Sequence, residues 1–174
     1  MPFTCPRACA DTNVLCDFYL AGCIEIIWHL YPDGVWIDPY VHEELKVKYN
    51  LDVYHALQVK GLEYISTKNY SAEQLMQMAE IKTRKRALKF ADISCIVNSG
   101  IHDAVCLSAD NAVVSICIER NIKVARHCGI LEEAIRREII TKNIAHVHLI
   151  KFLDNGLTLP PRVRGEYLGK FSEV

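Results

Sequence analysis

The chain has no apolar run near the ~20 residues that a membrane-crossing helix needs, so no span is expected. It opens MPFTCPRACADTNVL, without the charged segment, long apolar core and small-residue cleavage site of a secretory leader, and the cytoplasm is the expected location. No Gly/Ser linker, low-complexity tract or internal repeat divides its 174 residues, a length that suits one domain. Charge of either sign is not in excess either: 20 Lys and Arg stand against 21 Asp and Glu, for a net charge of −1. That excludes a nucleic-acid binder that is basic all over and leaves only a local basic patch. A CxxC pair is missing too, since Cys5 and Cys9 in CPRAC have the wrong spacing and no second pair, so no structural zinc is expected.

What is present is ordinary for a globular protein, with 51% hydrophobic and 24% charged residues. A chain of this size buries roughly two thirds of the surface it exposes when unfolded, and needs no staples. Of its 8 cysteines, Cys16, Cys23, Cys95, Cys106 and Cys117 lie in apolar stretches, where a reduced thiol serves as a small hydrophobe.

Short strand-like runs alternate with helical stretches. The strand candidates are Arg7 to Ala10, Val35 to Asp38, Leu62 to Ile65, Ala104 to Ser108 and Ile122 to Val124. Helices are expected over Val14 to Tyr31 in one or two pieces, Tyr40 to Val47, Leu51 to Val59, Ser71 to Lys89, Ile93 to Ser99, Asn111 to Arg120 and Leu131 to Ile140. Alternation of this kind predicts an α/β fold, a parallel sheet flanked by helices on both faces, with ligands at the carboxyl ends of the strands. From Asn143 the tail reads as one more amphipathic helix stopped by Gly156, then Pro160, Pro161 and a short last segment. Residues 1–142 are thus the expected main domain, and 143–174 an extension packed on it.

Carboxylates fall where such a sheet opens. Asp11 follows the first strand and breaks the apolar stretch ACADTNVLCDF, Asp110 follows AVCLS, Asp92 opens ISCIVNS, and Glu44 lies on the helix after the second strand. Taken singly, each Asp is a plausible helix N-cap and Glu44 a solvated helix residue. Caps need no clustering, however, and converging carboxylates repel unless a cation sits among them. Oxygen-only donors suit Mg²⁺ or Mn²⁺, and the chemistry that follows is metal-assisted phosphodiester hydrolysis. A phosphohydrolase of the haloacid type would want a second Asp two residues after the first, where Asn13 stands.

Four segments, ADTNVL (10–15), WIDPYVHEEL (36–45), FADISCIV (90–97) and LSADNAVVSICIERNIKV (107–124), together resemble the PIN-domain nucleases in order, spacing and context. The resemblance implies a PIN-like three-layer fold and a Mg²⁺ or Mn²⁺ pocket of Asp11, Glu44, Asp92 and Asp110, with Glu44 chosen over Glu43 by its E-L step. It places Asn13 and Ser108 where the family often has a polar residue that holds a carboxylate or a water. It covers about residues 7–140, and the tail looks like the extension of a toxin-related bacterial and archaeal subgroup. The activity it implies is an endoribonuclease acting on RNA, with an antitoxin and a homodimer as further partners. A PIN fold that binds RNA without cutting it is the alternative. Two departures remove none of the four acids: ADIS in the third motif, and Asn111 where Asp or Lys is often seen, which leaves that position without a fifth acid.

KTRKRALKF, residues 82–90, carries five cations just before Asp92. With Ser71 and Gln74 as a capping box, Leu75, Met78 and Ala79 share a helix face that Lys82, Arg86 and Lys89 would continue. The run either keeps a helix wet or grips the phosphate backbone through Lys82, Lys85, Arg86 and Lys89. Arg126, Arg136 and Arg137 belong to the same rim or to solvent. The histidines, including His29, His42, His55, His146 and His148, are read as structural or surface residues.

Overall fold

The computed structural model describes residues 5–172; residues 1–4, which begin the stretch tested for a leader, and residues 173–174 lie outside it. β1 (Arg7–Ala10) is followed by α1 (Thr12–Leu20), α2 (Glu25–Leu30), β2 (Gly34–Trp36), α3 (Pro39–Tyr49) and α4 (Val53–Val59). Then come α5 (Ala72–Arg84), α6 (Phe90–Ile101), β3 (Val105–Leu107), α7 (Asn111–Glu119), β4 (Val124–Ala125), α8 (His127–Arg136), α9 (Lys142–Asp154) and α10 (Pro161–Phe171). The four strands form one parallel sheet in the order β2-β1-β3-β4.

Side chains alternate across this sheet with the period of two that pleating imposes. Ala8, Ala10, Val35, Val105 and Leu107 enter a core shared with α1, α2, α3, α4, α8 and α9. Cys9, Cys106 and Trp36 face a second core shared with α5, α6 and α7. The expected three-layer architecture is therefore present, with helices over both faces. All eight cysteines are buried and free, and Cys9, Cys95, Cys106 and Cys117 supply part of the second core. Among the described residues no helix is long and apolar enough to cross a membrane. The tail joins the first core through Ala145, Leu149, Phe152 and Phe171.

Several boundaries differ from the sequence reading. The segment Leu62 to Ile65 is not a strand: only Ile65 bridges to Trp36 at the sheet edge, through Ile37 N–H to Ile65 O and Ile65 N–H to Val35 O, both 2.9 Å. One of its two neighbours is missing, so pairing ends after that bridge. The run from Val14 to Tyr31, expected in one or two pieces, is two helices, with Gly22 between them at a φ of 69° that favours glycine. The last core helix spans His127–Arg136 rather than Leu131 to Ile140. Its start is set by burial of His127, Cys128 and Ile130, and its end by the turn at Glu138, where φ is 58°.

The largest correction concerns Ser71 to Lys89. Ser71 and Gln74 do form the expected capping box, but α5 ends at Arg84 and Lys85 leaves helical geometry. Lys82 Nζ donates to the carbonyls of Arg86 (2.9 Å) and Leu88 (2.6 Å), which fixes a turn there. Leu88 is buried in the second core, and Lys89 becomes the extended N-cap of α6. Lys82, Arg86 and Lys89 do not share one helix face.

Candidate active site

Register brings the first and last acids together. Ala10 pairs with Leu107, so Asp11 and Ser108 are the next residues out of two adjacent parallel strands. Asp11 N–H donates to Leu107 O at 3.0 Å, and Ser108 Oγ donates to Asp11 Oδ2 at 2.8 Å. The same Ser108 Oγ accepts from Asp110 N–H at 3.3 Å. Ser108 thus ties the two acid-bearing loops together, the supporting place expected for it.

Helix N-termini supply the other contacts. Asp11 Oδ1 accepts from Thr12 N–H at 2.6 Å, at the start of α1. Asp110 Oδ1 accepts from Ala112 N–H (2.7 Å) and Val113 N–H (3.1 Å), at the start of α7. Asp92 Oδ2 accepts from Lys89 N–H at 2.9 Å, in the first turn of α6. Glu44, on α3, accepts at Oε2 from Thr12 Oγ1 at 2.8 Å and pairs at Oε1 with Lys89 Nζ. Thr12 and Lys48 are contributors that the sequence reading missed. Thr12 hydroxyl placement follows from its position next to Asp11 at a helix start, a signal present in DTN.

Glu44, Asp92 and Asp110 line one cleft of about 340 Å³ with Asn13, Lys48, Lys85, Arg86, Lys89 and Ala112. Asp11 lies fully buried beside it. Burial, with Asp92 next in weight, pushes the Asp11 carboxyl up to about 7 against the hydrogen bonds from Ser108 and Thr12. Asp92 is also raised, by burial first and then by Asp110 and Glu44, although the Lys89 N–H opposes this. Glu44 goes the other way: burial would raise it, but hydrogen bonds from Lys89 and Thr12 lower it on balance. The four acids therefore form an electrostatically connected set in which, among the described residues, only Glu44 has a cation paired to it.

Asn13 lines the cleft, and its Oδ1 stands 3.5 Å from the Tyr49 hydroxyl; it holds none of the four carboxylates. Of the basic run, Lys85, Arg86 and Lys89 reach the cleft wall, whereas Lys82 is held in the turn. Arg126 braces the Asp110 loop by donating to Ala109 O (3.3 Å) and Asn111 Oδ1 (2.8 Å). Arg136 and Arg137 pair with Glu133 on α8. A fifth acid, Asp38, is spent on structure: it caps α3 through Tyr40 N–H (3.0 Å) and accepts from Asn98 Nδ2 (3.1 Å) and from the Tyr70 hydroxyl.

A family model described as a PIN domain matches residues 7–173. The chain belongs to the PIN-domain family. PIN domains are in general nucleases, and the match reaches through the tail as well as the sheet. No curated protein matches the chain.

The donor chemistry fits the divalent metal that PIN domains typically use. All four side chains offer oxygen, the preference of Mg²⁺ and Mn²⁺. Asp92 Oδ1 and Asp110 Oδ2 accept no hydrogen bond from any described residue, while their partner oxygens serve the helix starts. Among the described residues no three His, Cys, Asp or Glu side chains are placed to hold one metal ion together. That is compatible with Mg²⁺, which is usually held by one or two carboxylates and completes its shell with water and substrate phosphate.

Proposed function

We propose that this PIN domain is a Mg²⁺- or Mn²⁺-dependent endoribonuclease that hydrolyses RNA phosphodiesters. The observation that carries the reading is the cleft itself, where Asp92 and Asp110 each keep an oxygen free beside buried Asp11, under a rim of Lys85 and Arg86. Asp92 and Asp110 would hold the metal through their free oxygens, with Glu44 and Asp11 beside them. When bound, the metal supplies a water of lowered pKa and steadies charge on the phosphate oxygens. Ser108 keeps Asp11 and Asp110 in register, and Thr12 orients Glu44. Lys85 and Arg86 attract the RNA backbone through contacts that carry no sequence information.

The test is cleavage of a labelled single-stranded RNA in Mn²⁺, Mg²⁺ or EDTA by wild type, Asp92→Asn and Asp110→Asn, with melting temperature followed in parallel. Cutting that requires metal and disappears in both folded variants supports the proposal. If wild type cuts no RNA under any metal, the proposal fails. A second reading, an RNA-binding PIN fold that does not cut, draws on the Lys89–Glu44 ion pair, which already gives one acid a cation. RNA binding without cutting would favour it. The cellular setting implied by the resemblance is the toxin of a toxin–antitoxin pair acting in the cytoplasm, with an antitoxin that covers the cleft and a homodimeric assembly. Co-expression that relieves growth arrest, and sedimentation of the purified chain, test these two points.

A further inference from the structure

Next to the acid cleft runs a second groove of about 500 Å³, between α3 and the start of α6, lined by Tyr40, Val47, Phe90, Ala91 and the stems of Lys48 and Lys89, with Glu43 and Glu44. Glu44, Lys48 and Lys89 line both hollows, so the two adjoin. The groove contains large apolar groups that the core does not use: Tyr40 is 42% exposed, Phe90 46% and Val47 77%. Tyr40 and Phe90 stack with ring centroids 5.3 Å apart and planes 23° apart, and Tyr70 extends the row from Tyr40 at 6.1 Å. Lys82 Nζ lies 5.5 Å from the Phe90 centroid, a cation–π distance.

Local sequence places these rings. Tyr40 follows Pro39 in the first turn of α3, one helical turn before Glu44. Phe90 opens α6, two residues before Asp92. A ring and a candidate ligand thus share each of the two helices, and whatever occupies the groove must lie beside whatever sits at the acids. An aromatic platform flanked by cations is how proteins hold single-stranded nucleic acid without sequence readout: bases stack on the rings, while the cations track the backbone.

We propose that this groove is a base-stacking subsite, holding on Tyr40 and Phe90 the base of a nucleotide that flanks the phosphate at Asp92 and Glu44. The assignment rests on the nuclease reading and favours single-stranded RNA as its substrate, because a paired base would first have to be unpaired and unstacked to enter the groove. Within the groove Glu43 and Glu44 balance Lys48 and Lys89, which suits an uncharged base, while Lys85 and Arg86 on the adjoining cleft and Lys82 beside Phe90 supply the cations for its phosphates.

The test uses a short fluorescent RNA in EDTA, with anisotropy as the readout. One set of strands carries a single abasic nucleotide at each position in turn; another carries 2-aminopurine, whose emission falls on stacking. Expected are one register at which the abasic strand binds wild type about tenfold more weakly than the intact strand, and quenching of 2-aminopurine at that position. Tyr40→Leu and Phe90→Leu, which keep apolar volume without a ring, should each weaken binding of intact RNA by about tenfold and remove the abasic penalty. Equal binding of all abasic strands by wild type overturns the assignment without relying on any variant, as does equal affinity for duplex RNA. If metal-dependent cutting persists in that case, the subsite falls and the nuclease reading stands. If the protein neither binds nor cuts RNA, both fall. A Leu variant that keeps RNA affinity but releases a co-purifying protein would assign the groove to that protein and overturn the stacking role.

Discussion

Replacing Asp11 by Asn should make the metal-free protein more stable, and increasingly so as pH rises. The folded chain holds this carboxyl at about 7 against an ordinary value of 3.8, mainly through burial. An unfolded chain ionises Asp11 from about pH 4 upward, whereas the folded chain keeps it neutral until about pH 7. Between those values the folded state binds more protons, so the stability associated with this group is complete below pH 4 and is lost as pH rises through 7. From pH 5 to pH 8 the loss amounts to about 2–3 kcal/mol, or roughly 5–10 °C in melting temperature for a chain of this size. The amide of the Asp11→Asn variant does not titrate and escapes the loss. Thermal melts in EDTA at several pH values would read the difference between wild type and variant, which should widen toward pH 8. Adding Mn²⁺ at pH 8 should then raise the wild type more than the variant, because the variant keeps Asp92 and Asp110 but lacks the negative charge of Asp11 beside the cation. A difference that stays constant from pH 5 to 8 would refute the reasoning.

Three further substitutions probe the same neighbourhood. Lys89→Met removes the cation paired with Glu44, and calorimetry should find Mn²⁺ bound up to about fivefold more tightly, the most that an exposed ion pair of this kind is worth; weaker binding would mean that Lys89 helps build the metal site. Ser108→Ala removes the hydroxyl between Asp11 and Asp110, which should cost about 1–2 kcal/mol in denaturant melts and weaken Mn²⁺ binding more at pH 7 than at pH 9, since Asp11 is then harder to ionise. Asp38→Ala removes the α3 cap and the Tyr70 hydroxyl's acceptor, and leaves the buried Asn98 amide to Thr67 and Gln74; it should destabilise by about 2–3 kcal/mol yet leave the cleavage rate of the protein that remains folded unchanged, and a selective loss of cleavage would place Asp38 in the site.

The sheet, its two helical layers and the convergence of the acids were legible because they follow from alternation, burial period and the end of each strand. Strand register then does the rest: once β1 and β3 pair in parallel, Asp11 and Ser108 have to be neighbours. What the sequence concealed depends on contacts between distant residues. The end of α5 carries no proline or glycine, and the residues from Lys82 to Lys89 favour helix by propensity. They leave it because Leu88 is buried in the second core and Lys82 satisfies the carbonyls of the turn, a tertiary choice that helical periodicity cannot reveal. The edge strand near Ile65 failed for the converse reason, since its alternation is adequate but the sheet offers it a single bridge. Tyr40 and Phe90 are half exposed, a placement that the sequence pattern does not mark.

Whether the acids are caps or ligands is a question the geometry dissolves. A cap needs one carboxylate oxygen, and a carboxylate has two. Asp110 uses Oδ1 for both N–H groups of α7, and Asp92 uses Oδ2 for the Lys89 N–H; each leaves its other oxygen unengaged by any described residue, so capping and the proposed ligand role are compatible. Capping even favours the second task, because it locks the rotamer and, at the positive end of a helix, steadies the charge. Asp11 differs: both of its oxygens are engaged, it has no exposed surface, and it is the acid with the value near 7. Its strongest electrostatic partner among the acids is Asp92, so a cation beside Asp92 would also favour ionised Asp11. Asp92 stands in the acid cleft, and Glu44 and Lys89 stand where that cleft adjoins the aromatic groove. The early end of α5 makes this possible, since the turn it leaves behind delivers Lys85, Arg86, Lys89, Phe90 and Asp92 to a single rim.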